Sequence, residues 1–101
     1  MTKNDFIAKL KESLDNHVKN QDLDAWFYND FSEKDFLKHN NEINSYINSE
    51  IPGTWKIIAI EGNGTNVGRG VFYNKKYNLE LHLSCLNDDE EFIDDYTIVK
   101  L

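Results

Sequence analysis

The chain has 101 residues, 40% of them hydrophobic and 13% aromatic, with 29% charged and a mean hydropathy of −0.65. That length leaves room for one packed domain, residues 1–101, and excludes a second. A net charge of −7 and a pI near 4.8 argue against nucleic acid or an anionic membrane as the direct ligand, because both are gripped mainly by Lys and Arg.

Helix one is predicted over about residues 3 to 19. Thr2 followed by Asp5 is a variant capping box, and Phe6, Leu10, Leu14 and Val18 recur at i+4 with Ile7 broadening the stripe. The start M-T-K-N-D-F-I-A-K-L-K-E carries charges where a signal peptide needs an unbroken apolar core. Cys85 is a lone cysteine, so the expected compartment is the cytoplasm. No run approaches the eighteen apolar residues that cross a bilayer, and no membrane partner is expected.

Between Asp22 and Phe36 the chain interleaves Trp26, Phe27, Tyr28, Phe31 and Phe36 with Asp22, Asp24, Asp30, Glu33 and Asp35, against Lys34 as the single cation. Rings and acids together suit a surface that binds a basic protein. The competing reading makes Trp26, Phe27 and Phe31 core residues. Neighbouring side chains diverge in any regular element, so at least one of the three rings at 26 to 28 faces outward, with Trp26 and Tyr28 the better candidates.

A second start signal, Ser32 with Asp35, and the apolar positions Phe36, Leu37, Ile43, Tyr46 and Ile47 predict helix two over about 33 to 50, ended by Pro52-Gly53. The period then falls to two, and strands are predicted in T-W-K-I-I-A-I, G-V-F-Y, Y-N-L-E-L-H-L and Y-T-I-V. In the third, Tyr77, Leu79, Leu81 and Leu83 share one face and Asn78, Glu80, His82 and Ser84 the other. Short connections imply consecutive hairpins. The expected fold is α+β, two N-terminal helices packed on one face of a four-stranded antiparallel sheet in the order ααββββ. The thirteen asparagines carry no functional weight in this reading.

G-N-G-T-N-V-G-R-G, residues 62 to 70, misses G-x-G-x-x-G because Val67 takes the third glycine position. It reads as a hairpin turn in which Gly68 or Gly70 marks a bulge. Residues 87 to 96, N-D-D-E-E-F-I-D-D-Y, hold six acids and read as a loop that is either solvated or an acidic contact surface through Asp88, Asp89, Glu90 and Glu91. A calcium loop needs a Gly at its bend, and this stretch has none. His82 and Cys85 are an odd number of residues apart on one strand and so face opposite sides; Cys85 reads as a small buried hydrophobe. No set of acid, base and nucleophile can be named, and the chain offers no spaced Cys or His pair for zinc. The expectation is a protein that is not an enzyme and uses neither metal nor cofactor.

In size, charge and want of a catalytic motif the chain is similar to bacterial toxin-immunity proteins and to phage-encoded anti-defence (anti-CRISPR-like) inhibitors. The similarity implies an acidic inhibitor that occludes the cleft of a basic toxin or nuclease domain without touching nucleic acid itself. The partner-binding candidates are Asp22, Asp24, Trp26, Tyr28, Asp30, Asp88, Asp89, Glu90 and Glu91. The alternative is a regulatory adaptor or homodimer joined through a sheet edge, strand one or strand four.

Overall fold

The computed structural model describes residues 1–20, 38–62, 67–86 and 92–101. Helix α1 spans Lys3–Lys19, the range its periodicity predicts, because its start is fixed twice. Asp5 N–H donates to Thr2 Oγ1 at 3.1 Å, and Thr2 N–H donates to the Asp5 carboxylate at 3.3 Å. Helix α2 spans Asn40–Glu50 behind His39, whose φ of −100° and ψ of 20° leave the helix without a side-chain cap. The expected start near residue 33, with Ser32 and Asp35, lies outside the described residues. At its other end Ile51 is extended (φ −126°, ψ 150°), as a residue before proline must be.

The sheet is a meander of β1 (Lys56–Gly62), β2 (Val67–Asn74), β3 (Leu79–Leu86) and β4 (Phe92–Lys100), every neighbouring pair antiparallel. This is the α+β arrangement expected. Two strand boundaries differ from expectation. Tyr77 belongs to the β2–β3 turn, where Asn74 Oδ1 accepts the Tyr77 N–H at 3.0 Å and Asn78 takes φ 50°, a left-handed position that asparagine tolerates. Residues Phe92 to Asp95 lie in β4 and not in a loop, so Asp94 and Asp95 are strand residues.

Between β1 and β2, Glu61 pairs with Arg69 and Gly62 with Val67. This leaves Gly68 as the extra residue of a bulge, one of the two glycines picked out for that role. A second bulge displaces Ile58, between the pairs Ile57↔Phe72 and Ala59↔Val71.

Directly opposed residues share a face. Leu79, Leu81 and Leu83 therefore lie with Phe72 and Ile98 on the inner face, under Phe6, Leu10 and Leu14 of α1 and Ile43 and Ile47 of α2. The outer face carries Tyr73, Glu80, His82, Asp95 and Thr97. It carries the Arg69–Glu61 ion pair at 2.5 Å and a His82–Glu80 hydrogen bond at 3.0 Å. The half-exposed Arg69–Glu61 pair contributes less than about 1 kcal/mol. No described helix is long and apolar enough to cross a membrane.

Candidate functional site

The nine residues singled out for partner binding, Asp22, Asp24, Trp26, Tyr28, Asp30, Asp88, Asp89, Glu90 and Glu91, lie outside the described residues. What is fixed is where the fold holds their flanks. Lys3 Nζ donates to the Asn78 carbonyl at 3.1 Å, and Tyr96 Oη donates to Asp15 Oδ1 at 2.5 Å. Helix α1 therefore runs antiparallel to β4, from the β2–β3 turn toward the start of β4, and Asn20 sits toward the same end as Leu86 and Phe92. Helix α2 is set by Asn48 against Trp55 and by Asn44 against Ile57, so it runs antiparallel to β1 with Asn40 toward the Gly62 end. In a meander the β1–β2 and β3–β4 connections leave from one edge. Both acid-rich segments, 21–37 and 87–91, are thus tethered to the same end of the sheet.

Charge is divided in the same way. Segments 21–37 and 87–91 hold nine of the eighteen carboxylates and one of the eleven cations, a net −8 against −7 for the whole chain. Divided by sequence halves the deficit looks even, −4 in residues 1–53 and −3 in 54–101. All of it belongs to two segments whose described flanks share one end of the sheet, and the remainder of the chain is +1.

The opposite pole is cationic. Register places Lys56 and Lys100 at the strand ends that flank the β2–β3 turn with its Lys75 and Lys76, and Lys3 bonds to that turn. Next to the turn lies a cleft of about 710 Å³ lined by Phe6, Lys9, Gly53, Lys75, Lys76 and Tyr77 among others. Its floor is aromatic: the Phe6 and Tyr77 rings stack with centroids 4.1 Å apart and planes 12° from parallel. These lysines escape a reading along the sequence because they arrive from four separated segments, α1, β1, the β2–β3 turn and β4. The cue available was K-K in a turn of an otherwise acidic chain.

The asparagines set aside as uninformative also have work to do. Asn40 Oδ1 accepts from Asn44 Nδ2, and Asn44 Oδ1 accepts the Ile57 N–H at 2.9 Å. Asn48 takes the Trp55 N–H at 2.7 Å and donates to the Trp55 carbonyl at 3.1 Å. Spaced at i, i+4 and i+8 along one side of α2, the three form a ladder that satisfies the outward backbone groups at the start of edge strand β1.

The Tyr96–Asp15 bond clasps α1 to β4 on the acidic side. Burial pushes the Tyr96 hydroxyl up to about 12, helped by the Asp15 hydrogen bond and the nearby Asp15 and Asp95 charges. A phenol whose folded pKa is raised adds stability below its unfolded value near 10, and that contribution fades as pH rises from there through 12. Tyr96→Phe is expected to cost about 0.5–1 kcal/mol at pH 7. In urea melts at rising pH the gap between the two proteins should narrow above pH 10; a gap that stays constant would show that the hydroxyl's proton is not engaged.

Among the described residues no group of three His, Cys, Asp or Glu side chains is placed to hold a metal ion. His17 Nε2 meets the Glu50 carbonyl at 3.3 Å, and His39 lies 3.4 Å from Glu42. Comparison with protein-family models, with curated proteins and with solved structures finds no match to this chain.

Proposed function

We propose that the protein is a small acidic inhibitor that neutralises a basic, nucleic-acid-acting effector in the cytoplasm by covering its active cleft, in the manner of a toxin-immunity protein. The observation that carries this reading is the partition of charge on the fold. A nearly neutral scaffold carries a net −8 in two segments whose described flanks share one end of the sheet, and the first of them also supplies Trp26 and Tyr28. Asp22, Asp24, Asp30, Asp88, Asp89, Glu90 and Glu91 would steer and pair with the effector's Lys and Arg, while Trp26 and Tyr28 fill pockets between them. Inhibition by occlusion needs no catalytic group, metal or cofactor in the inhibitor. A phage anti-defence inhibitor would use the same surface and differ only in its target.

The experiment is affinity capture from the native host's lysate at low and high salt, with wild type beside Asp22→Lys/Asp24→Lys and a quadruple Ser variant at 88 to 91. One basic protein retained in stoichiometric amount, released by salt and bound at least about tenfold more weakly by either variant, is the expected result. Circular dichroism should be unchanged in both. Trp26→Ala should weaken binding without unfolding; if it unfolds, that ring belongs to the core. A partner that ignores salt and both variants would overturn the proposal.

A second reading is favoured by the position of β4 as an outer strand of the sheet: an adaptor that pairs there with a peptide or with a second copy. Binding through backbone groups would depend little on salt.

A further inference from the structure

We propose that the cleft between the start of α1 and the β2–β3 turn binds a small aromatic polyanion of the mononucleotide class. This inference is independent of the acidic pole and its partner.

Three ammonium groups, those of Lys9, Lys75 and Lys76, line a cleft to which no carboxylate among the described residues contributes. None of the three has a carboxylate partner among the described residues. All three are exposed, so their charges converge on the cleft and favour an anion held there. The cleft's volume, about 710 Å³, falls within the range of small-ligand sites.

Its floor is built rather than incidental. Gly53 has φ +108°, and a Cβ there would lie 2.8 Å from both Asn74 Nδ2 and Phe6 Cζ. Asn74, only 1% exposed, holds the turn through the Tyr77 N–H, and Trp55 Nε1 donates to the Pro52 carbonyl at 2.8 Å. The Tyr77 ring is partly exposed, with Lys76 Nζ 5.4 Å from its centroid, so a ring surface and a cation are presented together.

The chemistry follows from these groups. Lysines are mobile point charges suited to phosphate oxygens in varied geometry. A partly exposed aromatic floor suits a planar ring laid against it. An acidic peptide fits less well, because a peptide backbone needs free main-chain partners and those of the turn are in use: Tyr77 N–H is held by Asn74, and the Asn78 carbonyl takes both Lys3 Nζ and the Leu101 N–H.

The test is a titration of the ¹⁵N-labelled full chain with ATP, AMP, adenosine, inorganic phosphate and tetraglutamate, read by amide shifts. ATP and AMP should move Gly53, Lys75, Lys76 and Tyr77, with adenosine and phosphate each at least about tenfold weaker than ATP. Lys75→Glu/Lys76→Glu should weaken ATP binding at least about tenfold while the amide shifts of β1 and of the second half of α1 stay in place. Capture of the acidic pole's partner by that variant should be undiminished. Equal binding of adenosine and ATP, equal binding of phosphate and ATP, a response to tetraglutamate alone, or no shift at about 10 mM ATP would each overturn the proposal.

Discussion

Gly53→Ala is expected to remove about 2–4 kcal/mol of folding stability, a large share of what a domain of this size has. Two costs add. A φ of +108° is one that an L side chain rarely adopts, worth about 1 kcal/mol or more. The new methyl would also sit 2.8 Å from Asn74 Nδ2 and Phe6 Cζ and 3.0 Å from Trp55 Nε1. Phe6, Trp55 and Asn74 are each at most 3% exposed, so none of them can swing into solvent to make room. Urea unfolding would show a lower midpoint at unchanged slope. A loss below about 1 kcal/mol would mean that the turn relaxes and that the close packing around Gly53 is not a constraint.

Asn48→Ala is expected to cost about 2–3 kcal/mol, because three hydrogen bonds vanish and the partly buried Trp55 N–H and carbonyl lose their side-chain partner. Asn48→Asp separates the parts. It keeps an oxygen for the Trp55 N–H but has no donor for the Trp55 and Asn44 carbonyls, so it should fall between wild type and Ala. Adding Asn44→Ala strips the Ile57 N–H as well. The double variant should lose more than either single change, because the Asn48 side chain holds the Trp55 backbone and the Asn44 side chain holds the Ile57 N–H. A small total would show that water replaces the ladder without cost.

The legible parts of the fold were those where local chemistry and burial agree. Helix α1 has both its capping-box bonds and an unbroken i+4 stripe, and the leucine alternation of β3 has Leu79, Leu81 and Leu83 fully buried. Errors arose where one signal served two elements. Tyr77 continues the leucine alternation, yet the Asn74 side chain recruits its N–H into the turn. Phe92 to Asp95 look like loop because of their acids, but β4 has one wet face and an outer edge, where carboxylates carry little penalty.

The acid and aromatic candidates follow from composition alone and rest on segments outside the described residues. Neither the Asn ladder nor the lysine cleft could be read from the chain. Each depends on tertiary placement, since Asn44 bonds Ile57 and Lys9 lines the same cleft as Lys75 and Lys76, and the residues' own neighbours give no hint of it.

Antiparallel packing of α1 on β4 puts the lysine-bearing turn at one end of the sheet and the described flanks of the two acid-bearing segments at the other. Such a body is an electric dipole, and in the field of a charged partner it experiences a torque before it experiences contact. It would arrive already turned, acidic end toward a basic surface, so that fewer encounters are wasted on unproductive orientations.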